Sequence, residues 1–166
     1  MKKLIPLLFI LAACSTAPKP NPQPLSDSHH YLIEQAERET SGRTRAVLAQ
    51  ARQMTLVHGE IIKGGCWDYL DTAWTRAGVP RNARKIVFAD KIGGNYAPSD
   101  QLRAGDWIYH VNHSYHGVEH SGMFIGWVDK SRHLGLTLSY AGEKRKEPAR
   151  YKVYDLSSVY QIMRAE

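Results

Sequence analysis

Between residues 30 and 58 the apolar positions Leu32, Ile33, Ala36, Ala46, Val47, Leu48, Ala51, Met54 and Val57 recur at helical spacing, which lines up one face of an α-helix. Ser41-Gly42 interrupts the run and predicts two helices. A third helical pattern follows Gly64-Gly65, with Cys66, Leu70, Ala73, Trp74 and Ala77 on one face and Gly78 and Pro80 as stop signals. Residues 81–99 read as loop, with a short helix near 85–90 and turn signals at Gly93-Gly94-Asn95 and Pro98.

Beyond residue 101 the period changes. A turn at Leu102-Arg103-Ala104-Gly105-Asp106 leads into a strand at 107–111, and 120–128 alternates and is rich in Phe, Ile and Trp. Residues 129–133 read as the turn of a hairpin whose second strand is 134–140, another strand lies at 151–155, and 156–164 reads as a final strand or a short helix. Helices first and an antiparallel sheet afterwards define an α+β class. There are no internal repeats.

The N-terminal stretch carries a different signal. Lys2 and Lys3 precede an apolar run from Leu4 to Leu11 that is too short to span a bilayer, followed by Ala12-Ala13-Cys14. Residues 1–13 read as a leader ending in a bacterial lipobox, with Cys14 as the lipidated first residue of the mature chain. Ser15 in the next position resembles an outer-membrane sorting signal, which implies a cell envelope protein anchored by lipid and facing the periplasm. Residues 14–28 hold four prolines and read as an extended tether of roughly 3 Å per residue. The organisation expected is then a helical preface at 29–58 and a main domain at 59–166.

Composition narrows the function. Hydrophobic residues make up 43% and charged residues 23%, as in one globular domain. The formal charge of +6 includes Lys2 and Lys3, and no basic run is interleaved with aromatics, so nucleic acid is not an expected partner. With Cys14 consumed by lipid, Cys66 is the one thiol left. In an oxidising compartment a lone free thiol calls for burial or for chemistry.

Chemistry has a physical basis here. A cysteine in the first turn of a helix faces unpaired backbone N–H groups and the positive end of the helix dipole, and both favour thiolate. Gly64 and Gly65 leave room for a substrate carbonyl at those amides, which suits an oxyanion. Asp68 and Asp71 oppose the thiolate, so a cationic partner is required, and His120 at the mouth of the strand 120–128 supplies one.

These elements together resemble the NlpC/P60 papain-like cysteine peptidases of bacterial envelopes. Cys66 and the helix exit Ala77-Gly78-Val79-Pro80-Arg81, the entry Leu102-Arg103-Ala104-Gly105-Asp106-Trp107-Ile108, and the strand His120-Ser121-Gly122-Met123-Phe124-Ile125-Gly126 match its motifs in order. Leu138-Ser139-Tyr140-Ala141 falls where the family carries a third polar residue. The match runs from about 59 to 155. Gly65-Cys66-Trp67 stands where the family has Asp-Cys-Ser, and its upstream tyrosine has no counterpart between Gly59 and Gly65, where Glu60 and Lys63 are the polar residues. The resemblance implies a papain-like fold and a thiol amidase or endopeptidase acting on peptidoglycan stem peptides. Its catalytic residues would be Cys66, His120 and a third group, Tyr140 or else Ser139. Neither cofactor nor metal is implied.

Two other readings compete. His110, His113, His116 and His120 crowd one stretch, and His116-Gly117-Val118-Glu119-His120 matches a zinc-peptidase pattern that requires a helix. Gly117 and the β-rich continuation oppose that helix. A catalytically degenerate lipoprotein that binds wall peptides or a partner protein, with Trp67, Trp107 and Trp127 as contacts, is the second. Those aromatics also fall on positions expected in the core. Lys144-Arg145-Lys146 reads as a solvated turn or as a contact for a wall carboxylate.

Overall fold

The computed structural model describes residues 25–166; the leader, Cys14 and the tether as far as residue 24 lie outside the described residues. Three helices precede most of the sheet: α1 (Asp27–Glu39), α2 (Gly42–Arg52) and α3 (Cys66–Arg76). Helix α1 begins inside the stretch read as tether, because the Ser26 side chain accepts the His29 N–H and Asp27 lies in the first turn, both favourable at a helix start. A single π turn, Gln53–Val57, prolongs α2. No helix among the described residues is long and apolar enough to cross a membrane.

Six strands form one antiparallel sheet: β1 (Arg84–Ala89), β2 (Trp107–Asn112), β3 (Val118–Asp129), β4 (Leu134–Ser139), β5 (Arg150–Asp155) and β6 (Val159–Ala165), in the order β1-β6-β2-β3-β4-β5. The architecture is therefore α+β. Two expectations are corrected or resolved. The short helix near 85–90 is instead the edge strand β1, held among the described residues only by β6. The C-terminal segment, open between strand and helix, is the strand β6 that joins β1 to β2.

Strand alternation sends side chains to two cores. On one face Trp107, Met123, Ile125, Leu136, Leu138 and Tyr151 pack against α1, α2 and α3, whose Ile33, Val47, Leu48, Met54, Tyr69 and Trp74 are buried there. On the other, Ile108, Phe124, Tyr154, Leu156, Val159 and Ile162 close over Ala97 and Leu102 from the long β1–β2 connection. The preface helices and the cysteine helix thus share a single core.

Helix α3 is fixed to the sheet by aromatic and ionic contacts. Trp74 meets Trp107 edge-on at 5.7 Å between ring centroids. The Arg84 guanidinium lies over both rings and also holds Asp71 at 2.7 Å. Below the β2 entry, Asp106 accepts the Arg103 amide and two bonds from Arg164 of β6. The Leu-x-x-Gly-Asp segment is a turn anchored through a buried ion pair.

Candidate active site

The turn into α3 decides where the thiol points. Gly64 has φ +103, and a Cβ there would sit 2.1 Å from the Asp68 carboxylate; only glycine fits this left-handed position. That carboxylate reaches back to accept the Gly65 N–H at 2.7 Å, the N3 half of a capping box for which a glycine N-cap has no reciprocal side chain. Asp68 therefore occupies the Gly65 amide, one of the groups expected to receive an oxyanion. The first helical bond runs from Tyr69 N–H to Gly65 O, which leaves the Cys66 and Trp67 amides without a partner inside the helix.

Strand β3 meets this turn where its own ladder opens. Phe124 exchanges backbone bonds with Asp106 and Gly105 on the β2 side, so by alternation the Ser121 N–H faces the β4 side. The β4 pairing begins with Met123 opposite Leu138 and β4 itself ends at Ser139, so no strand covers that amide. Cys66 takes the place. Burial pushes the half-buried thiol up, but hydrogen bonding to the His120 side chain and to the Ser121 hydroxyl and amide, with the His120 charge, outweighs burial and leaves it at about 7. Ser121 is buried.

His120 has its second nitrogen engaged. Nε2 lies 2.7 Å from Ser139 Oγ, which lies 2.9 Å from the Tyr154 hydroxyl. The contact depends on Gly122: a Cβ there would come within 2.4 Å of Thr137 Cγ2 and 2.9 Å of Leu138 O, so His120 and Ser139 meet diagonally across a position that tolerates no side chain. Of the two residues considered for the third role, it is Ser139 that touches the imidazole.

Tyr140, the other candidate, does not reach the imidazole. It points to the opposite face, stacks on Tyr69 at 4.7 Å and donates its hydroxyl to Ile62 O at 2.7 Å. Next to it the Glu143 amide donates to Gly64 O at 3.0 Å. The segment after β4 thereby clasps the turn that presents Cys66. Lys144, Arg145 and Lys146 follow on an exposed 3-10 turn and make no ion pair among the described residues.

The histidine stretch does not gather. His110 is fully buried beneath His120, with ring centroids 5.6 Å apart, and burial drives it down to about 4. His113 Nε2 contacts Ser158 Oγ at 2.9 Å, and His116 lies in an exposed turn. His116 to His120 runs from turn into strand, so the pattern that requires a helix has none, and no group of three potential ligands occurs among the described residues. Trp107 is core as expected, Trp67 packs at 5.8 Å on it under Arg81, and Trp127 packs on Phe124.

Three polar residues on this face of the sheet, Ser121, Tyr109 and Tyr160, were not legible as a group in the sequence. Ser121 carried one usable signal, its place directly after His120. Tyr109 pairs across the ladder with Ser121, a match that requires the β2–β3 register. Tyr160 carried none, since a register shift in β6 re-aims it. Comparison with known proteins adds no relative: no protein-family model matches the chain, and no curated protein or solved structure matches it.

Proposed function

We propose that Cys66 is the nucleophile and His120 the base of a cysteine amidase or endopeptidase that cuts peptide stems of the bacterial cell wall, within a papain-like domain of the NlpC/P60 type. The observation that carries this reading is Cys66 opening α3 while His120, its ring held by Ser139, faces the thiol from β3, an arrangement that draws the thiol down to about 7 in spite of its burial. A structural cysteine in such partial burial has no need of a base.

The chemistry follows from the contacts. With the Nε2–H donated to Ser139 Oγ, Nδ1 is free to take the thiol proton. The thiolate attacks the amide carbonyl, and the Cys66 and Trp67 amides, unpaired at the start of α3, receive the oxyanion. The imidazolium protonates the leaving amine, and water releases the acyl group from the thioester. Ser139 holds the ring as a positioning residue. The chain would work at the envelope as a lipoprotein anchored through Cys14, with no cofactor.

The test is incubation of the full chain with purified stem peptides and mass spectrometry of the products. The result expected is one new amide cleavage that disappears in Cys66→Ala and in His120→Ala. Intact peptides that nevertheless bind the folded chain would overturn the peptidase and leave a wall-peptide binding lipoprotein.

A further inference from the structure

Behind His120 the sheet holds a polar group that the proposed chemistry uses only in part. His120 lies opposite His110 of β2 in the ladder. Ser139 pairs with Arg150, and alternation carries that face of β5 through Lys152 to Tyr154. The three rings pack on one another: centroids are 5.6 Å apart for His110 and His120, 5.7 Å for His120 and Tyr154, and 5.2 Å for His110 and Tyr154. Tyr154 is buried, and its hydroxyl lies 2.9 Å from Ser139 Oγ, the atom that meets His120 Nε2.

Ser139 has one hydroxyl proton and two neighbours to receive it. If Tyr154 donates to Ser139 and Ser139 to Nε2, the neutral imidazole carries its proton on Nδ1 and offers the thiol no lone pair. The reverse direction, from Nε2–H to Ser139 and on to Tyr154, leaves Nδ1 bare, but the phenol proton then needs an acceptor. His110 has one. Its Nδ1 lies 3.3 Å from Val111 O, which only accepts, so Nδ1 carries the proton. Burial holds the ring neutral, down at about 4. Nε2 is therefore a bare acceptor on a fully buried side chain, and it has no hydrogen-bond partner among the described residues. An acceptor so placed is costly until a donor meets it.

Resting on the reading of Cys66 and His120 as the reactive pair, we infer that Tyr154 and His110 are positioning residues that set the tautomer of His120 through Ser139, the phenol accepting the Ser139 hydroxyl and donating its own O–H to His110 Nε2. The chain runs from His120 Nε2–H to Ser139, from Ser139 to Tyr154, from Tyr154 to His110, and from His110 Nδ1–H to Val111 O. Every donor in it has an acceptor, no proton is transferred along it, and Nδ1 of His120 stays open to the thiol. Its last link is a small rearrangement of two rings already in edge-to-face contact.

Nitrogen-15 NMR of the full chain reads the tautomer directly. Cys66→Ala removes the charge partner of His120, and spectra at alkaline pH report the neutral ring. The result expected is a proton on Nε2 and a bare Nδ1. Adding Tyr154→Phe or His110→Phe moves the proton to Nδ1, whereas His110→Gln, whose amide oxygen still accepts, keeps it on Nε2. With the thiol restored, Tyr154→Phe raises the midpoint of Cys66 alkylation by about 0.7 pH unit, roughly a fivefold loss of thiolate at pH 6. In a Ser139→Ala background it adds nothing. The other titratable groups around the chain, His113 after β2 and Lys152 and Asp155 of β5, are the same in all these variants. A proton on Nδ1 in Cys66→Ala, a tautomer unmoved by Tyr154→Phe, or an equal midpoint shift with and without Ser139 overturns the inference. Neither readout needs cleavage: intact stem peptides with a tautomer that moves sink the peptidase alone, and cleavage with a tautomer that does not move sinks the chain alone.

Discussion

Replacing His120 with alanine isolates the interaction on which the proposed chemistry depends. The thiol stands at about 7 against an ordinary 9.0, a difference of about 2.7 kcal/mol in favour of thiolate. Burial alone acts in the other direction, so losing the imidazole returns the thiol to 9.0 or above, with only the Ser121 donors opposing. At pH 6 the thiolate population then drops about a hundredfold. The more basic thiolate is a better nucleophile, and a Brønsted slope near 0.45 gives back about eightfold. The net effect on reaction with a neutral disulfide such as 2,2′-dithiodipyridine, read at Cys66, is a rate about tenfold lower at pH 6. The two curves cross near pH 8, and by about pH 10 the variant is faster by about sevenfold. The crossing distinguishes a lost ion pair from mere loss of access, which would lower the rate at every pH. Superimposable profiles, or a wild-type midpoint near that of a free thiol, would refute the reasoning.

Three more perturbations follow from single contacts. Ser139→Ala removes the group that orients His120, and kcat for stem-peptide cleavage should fall about tenfold with KM unchanged; a loss confined to KM would assign Ser139 to substrate binding. Tyr140→Phe deletes the bond to Ile62 O and should cost about 1–2 kcal/mol in urea unfolding, and unaltered stability would mean the clasp carries no weight. His110 has its folded value depressed to about 4 from 6.5, so the unfolded chain binds the extra proton and stability falls as pH drops from about 6.5 to 4, by about 3 kcal/mol. His110→Phe should flatten that part of the pH–stability curve, and an unchanged slope would trace it to other groups.

Helix α3 and the β3–β4 hairpin were legible because their signals are local: a glycine pair before an apolar period, and alternation across a polar turn. Strand β1 was not. Ile86-Val87-Phe88-Ala89 is too short to show a period, Arg84 and Lys85 give it a polar start, and its only partner is β6, more than seventy residues away in the chain. The third site residue was read to within one position, and in a strand one position reverses the face. Parity held the answer: His120 and Gly122 share a face, and Ser139 lies one step beyond the Met123–Leu138 pair, on that same face. Tyr160 had no such route, since its orientation rests on a register shift set by pairing with β2.

That reversal of face explains how the end of β4 can serve both halves of the site. Ser139 turns toward Tyr154 and holds the His120 imidazole; Tyr140, one residue later, turns toward α3 and holds the carbonyl of Ile62, four residues before Cys66. The Glu143 amide on Gly64 O adds a second tie to the same turn. Imidazole and thiol come from elements distant in sequence, yet both are tied to two adjacent residues, the last of β4 and the one after it. A thiol–imidazole pair is productive only over a few tenths of an ångström, and a short stretch of backbone holds such a distance better than loops do. Tyr140 thus acts on the thiol's side of the same geometry, through the backbone of the turn rather than through the imidazole.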